Sequence, residues 1–259
     1  MAQFSLWYSI NLMTNVERGK LFGKVALVTG ASRGIGKAIA AAYAREGARV
    51  FICARNEASV ARAVLEIRNN GGEIDGMAGD VGNLKDVNRI VQAAGRKYGA
   101  IDVLVNNASL LGPRVPIAEY PLPAWEEVLR VNVTGVFLMT QTVLHLMVAQ
   151  RNGSIINVSS GVGRVGKPRW GAYAASKFAV EGFTQMLAEE VKDFGIRVNA
   201  VNPGATRTEM RAAAYPDEDP LTLPVPEKIM PVFVYLASDA SQMVTGKSFE
   251  AQEWALPGN

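Results

Sequence analysis

The sequence has very few of the side chains that build disulfides and metal centres. Its 259 residues include one cysteine, Cys53, and one histidine, His145. A disulfide framework or a zinc cluster needs several such residues in one chain. Cys53 lies in an apolar run, where a free cysteine packs as a small hydrophobic side chain. We therefore expect no bound metal and no chemistry that depends on a thiol.

The sequence also lacks a block of charge of one sign. It has 27 Lys and Arg residues against 24 Asp and Glu residues, a formal net charge of +3. No basic stretch interleaved with aromatic residues is present, so a nucleic-acid partner is not expected. We find no apolar run that is long and uncharged enough to span a bilayer. These features predict a cytoplasmic protein that binds neither nucleic acid nor membrane.

The first twenty residues differ in character from the rest of the chain. Residues 4–13 are apolar and aromatic, but they lack the preceding basic residues and the following cleavage site of a secretory signal. We interpret residues 1–20 as an N-terminal extension. It is either a poorly ordered extension, or the product of an early start codon upstream of Met13, or a segment that packs on a partner subunit. Residues 21–259 are predicted to form a single domain, which a 49% hydrophobic content can supply with a core.

From residue 24 onward, short β-branched apolar runs alternate with longer stretches of helical period. This alternation is typical of βαβ units around a parallel sheet. The apolar runs are continuous, which favours strands that are covered by helices on both faces. The sequence therefore predicts an α/β fold, with a doubly wound and mainly parallel sheet of seven strands. The strand candidates are 24–30, 48–53, 73–79, 101–106, 153–159, 196–202 and 246–250.

Residues 204–226 interrupt this alternation. They contain Pro216, Pro220, Pro224 and Pro226 beside an acidic cluster at 217–219, so neither helix nor strand is favoured throughout. A long loop after the carboxyl end of a strand is typical of a lid over a site. A variable surface loop is the alternative interpretation.

A glycine-rich turn follows the first strand and leads into a helical stretch. Gly30, Gly34 and Gly36 permit a tight turn and let the backbone approach a pyrophosphate, while the helix N-terminus offers free N–H groups. An ordinary βα turn could also be glycine-rich. The strand–turn–helix context nevertheless favours a dinucleotide site.

The G-x-x-x-G-x-G spacing of this turn, together with later motifs, resembles the short-chain dehydrogenase/reductase family. The resemblance covers about residues 22–250 and is to the compact branch that includes the 3-oxoacyl-carrier-protein reductases. In chain order, the later motifs are Asn106-Asn107-Ala108, Asn132, Ser159-Ser160, Tyr173-Ala174-Ala175-Ser176-Lys177 and Pro203-Gly204. The resemblance implies a Rossmann-like fold and a nicotinamide cofactor. It also implies a homotetramer or homodimer that pairs through helices at 123–150 and 171–194.

The reduction of a carbonyl needs a proton donor to the oxygen as well as a hydride. Tyr173 and Lys177 lie four residues apart, so on a helix they share a face, and the ammonium can lower the pKa of the phenol. A chance pair on an exposed helix would show the same spacing. By the resemblance, Ser160 hydrogen-bonds the substrate oxygen, Asn132 holds a water that connects Lys177 to solvent, and Lys177 also bonds the nicotinamide ribose. We predict that these four residues are the catalytic set.

The end of the second strand indicates which nicotinamide cofactor is used. Enzymes selective for the unphosphorylated form usually place an acidic residue there, whereas this chain has Ala54 followed by Arg55. Arg55 and Arg33 could together bind a 2′-phosphate, so we predict NADP(H). The alternative is that Arg55 caps a surface turn. The remaining cofactor contacts implied by the resemblance are Gly30, Ser32, Gly34, Ile35, Gly36, Asp80, Val81, Asn107, Ala108, Pro203, Gly204, Thr206 and Thr208, with Tyr173 and Lys177.

Candidate substrate residues are mainly apolar: Leu110, Trp170 and Tyr215. They suit a hydrophobic ketone, an aldehyde or a 3-oxoacyl group. The sequence thus predicts an NADP(H)-dependent oxidoreductase that reduces a small-molecule carbonyl to an alcohol, or the reverse, with Tyr173 as general acid/base. The alternatives are a catalytically silent, cofactor-binding regulatory protein and an epimerase or dehydratase. The intact catalytic set argues against the first, and the short chain argues against the second.

Overall fold

The computed structural model describes residues 19–255, with one seven-stranded sheet at the centre. The strands are β1 (Val25–Thr29), β2 (Arg49–Ala54), β3 (Ile74–Ala78), β4 (Val103–Asn106), β5 (Gly153–Val158), β6 (Ile196–Asn202) and β7 (Ser248–Glu250). Their order across the sheet is β3-β2-β1-β4-β5-β6-β7, and every neighbouring pair is parallel. The predicted doubly wound, Rossmann-like α/β fold is confirmed. The sheet is entirely parallel.

Helices cover both faces of the sheet. They are α1 (Gly34–Arg45), α2 (Glu57–Asn69), α3 (Leu84–Tyr98), α4 (Leu122–Leu129), α5 (Gly135–Gln150), α6 (Gly171–Val191), α7 (Glu209–Ala214) and α8 (Met230–Ala237). One hydrophobic core lies between the sheet and α1, α2 and α8, and the other between the sheet and α3, α5 and α6. Successive residues of β1 alternate between these two cores, because side chains of a strand point to opposite faces. This explains why the strands are continuous apolar runs.

A π-helical turn, Arg130–Thr134, joins α4 to α5 in one continuous helix, Leu122–Gln150. By length and composition alone, this helix is apolar enough to cross a membrane, so the expectation that no such run exists is wrong. Its inner face, which includes Met139, Val143 and Met147, is fully buried in the second core. Burial against the sheet is therefore one reason for its apolar composition.

The structure corrects the expectation that residues 204–226 contain no regular structure throughout. Helix α7 forms within this segment, and Thr208 caps it by accepting a hydrogen bond from the Arg211 N–H at 3.1 Å. The helix forms because it contains three alanines, which favour a helix, and because all four prolines come after its last residue. A bidentate pair between Arg211 and Glu218 then ties the proline-rich part to α7, with both distances 2.6 Å.

The expected N-terminal extension falls mostly on residues 1–18, which lie outside the described part of the chain. Gly19 and Lys20, by contrast, pack against the end of α1. The Lys20 N–H donates to the Glu46 carboxylate at 2.9 Å. A side chain at Gly19 would lie 2.4 Å from the Glu46 carbonyl oxygen. These two residues therefore contact the domain directly.

Candidate active site

A cavity of about 820 Å³ opens at the carboxyl ends of the strands. In parallel α/β sheets this edge is where ligands bind. The predicted site residues that line the cavity are Gly30, Ser32, Arg33, Gly34, Ile35, Gly36, Arg55, Asp80, Val81, Asn107, Ala108, Leu110, Ser160, Trp170, Tyr173, Lys177, Pro203, Gly204, Thr206 and Thr208. Asn132 and Tyr215 lie behind the wall rather than on it. The fold thus brings together residues from the whole length of the sequence.

The glycine-rich turn is packed so tightly at Gly30 and Gly36 that neither position has room for a side chain. A Cβ atom on Gly36 would lie 2.4 Å from Asn107 Nδ2 and 2.6 Å from the Gly30 carbonyl oxygen. Gly30 has a φ of +64°, and a Cβ there would lie 2.7 Å from the Cα of Ala108. Helix α1 begins at Gly34 and offers its free N–H groups at this edge. Bare backbone at a helix N-terminus fits a pyrophosphate.

Asn107 holds the turn from behind. Its Nδ2 donates to the carbonyl oxygens of Thr29, at 2.9 Å, and of Gly30, at 3.1 Å. The Thr29 hydroxyl in turn accepts from the backbone N–H groups of Asn107 and Ala108 at 3.0 Å. These bonds join the ends of β1 and β4. The side chain of Asn107 thereby fixes the shape of the turn.

Two arginines line the cavity at the end away from Tyr173 and Lys177 of α6. Arg55 follows β2, is exposed and makes no ion pair with another described residue. Arg33 forms an ion pair with Glu209 of α7, but both side chains are about three-quarters exposed. Exposed pairs of this kind contribute little to stability, so the guanidinium remains available to an anion.

Asp80 lies at the same end and is already engaged by the protein. It accepts hydrogen bonds from Arg130 at 2.7 Å and from the Gly82 N–H at 2.9 Å. Partial burial tends to raise the pKa of Asp80, but these hydrogen bonds and the Arg130 charge lower it below its usual range. Asp80 is therefore a carboxylate at neutral pH. Its expected contact with an adenine stays a prediction.

Tyr173 lies in the first turn of α6, with its phenol buried at the inner end of the cavity. Its ring packs against Trp170, with the ring centroids 5.6 Å apart. Ser160, two residues after the end of β5, brings its hydroxyl within hydrogen-bonding reach of the phenol. Burial raises the pKa of Tyr173 to about 12, against a lowering effect of this hydrogen bond. The expected lowering toward neutrality is therefore not produced by the protein's own groups.

The position of Lys177 explains why the pKa of Tyr173 is not lowered. Its Nζ donates to the Val158 carbonyl oxygen at 2.8 Å and lies 5.5 Å from the centroid of the Tyr173 ring. Burial lowers the pKa of Lys177 to about 8, while the charge of Glu181 acts in the opposite direction. The ammonium is thus anchored to the end of β5, one helical turn from Tyr173. A protonated phenol at neutral pH is the form that can give a proton to a carbonyl oxygen.

Asn132 lies in the π-helical turn, a feature often found at functional sites. Its Oδ1 accepts from the Leu110 N–H at 2.8 Å, and its Nδ2 donates to the Leu110 carbonyl at 2.9 Å and to Ser176 Oγ at 3.0 Å. Both amide hydrogens are therefore bound to protein acceptors. The side chain ties the loop after β4 to α6, and its expected water contact stays a prediction.

Aromatic rings pack at the end of the cavity that holds Tyr173. The guanidinium of Arg114 lies 4.7 Å from the ring centroids of both Trp170 and Tyr215, and it hydrogen-bonds the Ala214 carbonyl. Arg114 thus joins the loop after β4 to the end of α7. Ser109 also lines the cavity, and its buried Oγ has no hydrogen-bond partner among the described residues. Within residues 19–255, no cluster of three or more His, Cys, Asp or Glu residues could hold a metal ion.

Some cavity residues were not found from the sequence. Asn56 and Ser59 line the cavity beside Arg55, and the Ser59 N–H donates to the Asn56 side chain at 2.8 Å to cap α2. An asparagine just after a strand and before a helical stretch was the signal available for Asn56. From α7 the cavity receives Glu209, Met210, Arg211, Ala213 and Ala214. These were missed because the segment was interpreted as a loop.

Comparison with known proteins agrees with this geometry. The family model for short chain dehydrogenases matches residues 24–219. The chain belongs to the short-chain dehydrogenase family. The resemblance inferred from the motifs is thereby confirmed, and the protein is an oxidoreductase of this class.

Among its relatives, this short-chain dehydrogenase is 41% identical over 241 residues to the oxidoreductase YciK of Escherichia coli, covering 91% of this chain and 94% of the relative. It is 39% identical over 236 residues to a 3-oxoacyl-[acyl-carrier-protein] reductase of Synechocystis, with coverages of 88% and 95%.

Solved structures give the same result. A short chain dehydrogenase from Shigella flexneri complexed with NADP matches with a TM-score of 0.87 and 40% identity, over 91% of this chain and all of the other. A short chain dehydrogenase from Escherichia coli complexed with NADPH matches with a TM-score of 0.87 and 41% identity, over 91% and 99% of the two chains.

Proposed function

We propose that this short-chain dehydrogenase is an NADP(H)-dependent oxidoreductase that reduces a carbonyl to an alcohol, or catalyses the reverse reaction, with Tyr173 as general acid/base. The observation that carries the proposal is that one cavity contains the glycine turn, two arginines at one end and Ser160, Tyr173 and Lys177 at the other. The NADP and NADPH complexes of the two similar structures support the choice of cofactor.

The cavity residues fit NADP(H) in both shape and charge. The crowded Gly30 and Gly36 positions keep the turn as bare backbone for the pyrophosphate. Arg55 and Arg33 supply guanidinium groups for the 2′-phosphate, where an acidic residue would repel it. The unpartnered Ser109 hydroxyl is a polar group still to be satisfied by a ligand.

In the direction of reduction, the bound nicotinamide supplies a hydride to the carbonyl carbon. Ser160 donates a hydrogen bond to the carbonyl oxygen and holds it beside the phenol. Tyr173 then transfers its phenolic proton to this oxygen, so that an alcohol and a phenolate result. Lys177 stabilises the phenolate by its charge, and Asn132 positions the helix turn that carries Ser176 and Lys177. The reverse reaction uses the same groups with the proton moving to the phenolate.

The substrate end favours a hydrophobic ketone, an aldehyde or a 3-oxoacyl group. Leu110 and Leu111 line it together with Trp170, while Tyr215 packs behind Trp170 with their ring centroids 6.0 Å apart. Helix α7 and the segment that follows form a lid over this end. Arg114 holds the lid to the wall through its contacts with Tyr215 and Ala214.

The protein acts in the cytoplasm as a homodimer or homotetramer. Large apolar side chains are exposed on the two long helices, namely Phe137 and Leu146 on α5 and Phe178 and Met186 on α6. A second copy of the chain would cover them on association. The binding partner of the active site is a small-molecule carbonyl or alcohol.

Replacement of Arg55 by alanine tests the cofactor assignment. Because a hydrogen bond to a charged group contributes roughly 1.5–3 kcal/mol, the KM for NADPH is expected to rise about tenfold, and the KM for NADH to stay the same. Steady-state kinetics with both cofactors measure this. Arg62→Ala is the matched control, because Arg62 is exposed on α2 and does not line the cavity. Comparable KM values for the two cofactors, unchanged in Arg55→Ala, would refute the assignment.

A further inference from the structure

A buried carboxylate lies one helical turn beyond Lys177. Glu181 is on α6, at the position where residues four apart share a face, and is only 6% exposed. An ionised carboxylate is costly to bury unless charges or hydrogen bonds compensate it. The residue lies outside the cavity wall, so contact with a substrate does not account for it.

Three side chains from different elements converge on this carboxylate. The Ser159 hydroxyl, next to catalytic Ser160, donates to Glu181 Oε1, and the Ser248 hydroxyl of β7 donates to the same oxygen at 3.2 Å. Arg164 Nε lies 3.9 Å from it. Glu181 therefore joins α6 to the end of β5, to β7 and to the 3₁₀ turn Gly161–Gly163 that separates Ser160 from Arg164.

The same network extends to the loop after β6, which contains the predicted cofactor contact Gly204. Arg164 also forms an ion pair with Glu250, whose Oε2 accepts a hydrogen bond from Asn202 Nδ2 at 2.6 Å. Asn202 Oδ1 in turn accepts from the Gly204 N–H at 3.1 Å. The polar network therefore extends from the catalytic helix, behind the serine, to the loop after β6.

We propose that Glu181 is a positioning residue of the active site, whose buried carboxylate acts on Lys177 from one helical turn away and whose network with Ser159, Arg164 and Glu250 fixes the turn after Ser160. This inference rests on the proposed function, because it assigns the charge that maintains the catalytic ammonium. It adds a residue that acts through Lys177 and does not touch the substrate.

The electrostatics around Lys177 support this role. The titratable side chains near it on its own helix are Tyr173 and Glu181, and Arg164, which follows the 3₁₀ turn, contacts Glu181. The side chains of β5 are neutral, and so is Asn132 of the π-helical turn, whose one charged residue, Arg130, is paired with Asp80 and Glu127. Burial lowers the pKa of Lys177 to about 8, and Glu181 is the group that opposes the lowering. Loss of this negative charge therefore lowers the pKa further, toward values at which the ammonium is lost at neutral pH.

The test is the pKa of Lys177, measured in two ways in charge variants. The first is NMR titration of 13C-labelled lysine side chains, with the signal assigned by its absence in Lys177→Met. The second is the alkaline limb of kcat/KM for reduction with NADPH, where activity falls as pH rises through the pKa of Lys177. In Glu181→Gln both values are expected to move down by about one pH unit, since one neighbouring charge is removed.

Arg164→Gln is expected to give a smaller shift in the opposite direction, because it removes a cation from the same cluster. It also carries the test if Glu181→Gln does not fold. Ser159→Ala is the control, because it removes a hydrogen bond to Glu181 but no charge, and the pKa of Lys177 should stay in place. Unshifted Lys177 pKa values in both charge variants would overturn the inference. A wild-type protein without carbonyl reductase activity would refute the proposed function, while the NMR titration would still test the charge coupling.

Discussion

Replacement of Tyr173 by phenylalanine is expected to lower kcat for carbonyl reduction by about 100- to 10,000-fold, the range typical of a general acid/base. The substitution removes only the hydroxyl, so the ring can keep its contact with Trp170. The dissociation constant for NADPH, measured by fluorescence titration, is expected to stay within about twofold, because this contact preserves the cavity wall.

The matched control is Tyr235→Phe. Tyr235 is also buried, but it lies on α8 and packs against Trp254, away from the cavity. It should leave kcat unchanged. If Tyr173→Phe retained wild-type kcat, Tyr173 would not be the proton donor, and the proposed mechanism would be wrong.

The pKa values of the site add a condition on pH. Burial raises the pKa of Tyr173 to about 12, so the proton needed for reduction is present throughout the neutral and moderately alkaline range. Burial lowers the pKa of Lys177 to about 8, opposed by Glu181. A loss of reduction activity near pH 8 therefore belongs to the deprotonation of Lys177 and not to that of the phenol.

Replacement of Gly36 by alanine is expected to weaken NADPH binding at least about tenfold and to lower the free energy of unfolding by about 1–3 kcal/mol, as overpacking typically does. The new Cβ would lie 2.4 Å from Asn107 Nδ2 and 2.6 Å from the Gly30 carbonyl oxygen. Both atoms belong to the hydrogen-bonded turn, so the turn itself must shift. Denaturant unfolding and NADPH titration measure the two effects.

Gly95→Ala provides the comparison for this variant. Gly95 lies within α3, where a Cβ would meet nothing within 4 Å. Alanine is expected to stabilise the protein there by roughly 0.4–1 kcal/mol and to leave NADPH binding unchanged. Equal binding and stability in Gly36→Ala and wild type would show that the turn has room for a Cβ atom, which would contradict the close contacts at Gly36.

The fold followed from the sequence because the signals were local. The central strands are apolar runs, as in β1, where both faces are buried. All seven strands were placed to within two residues of their ends. The glycine turn was equally clear, since Gly30 and Gly36 are required by close backbone contacts that no other residue permits.

Other features depend on contacts that the sequence pattern does not encode. Helix α7 was missed because four prolines follow it closely, although Thr208 and the alanines favour a helix locally. Contacts between residues far apart in the sequence were also missed. Arg33 pairs with Glu209, and the Lys177 ammonium donates to the Val158 carbonyl oxygen. Glu181 looked like any helical glutamate, because only the fold shows that its face of α6 is buried.

The proposed transfer of hydride from NADPH to a carbonyl is tested most directly by following the hydride itself. NADPH that carries deuterium as the transferred hydrogen at C4 of the nicotinamide would be incubated with the protein and a panel of ketones, aldehydes, quinones and 3-oxoacyl thioesters. The products would then be analysed by mass spectrometry. Wild type is expected to form an alcohol that carries one deuterium on the former carbonyl carbon, and Tyr173→Phe is expected to form it at least about 100-fold more slowly. Saturable NADPH binding without any deuterated alcohol from the panel would contradict it.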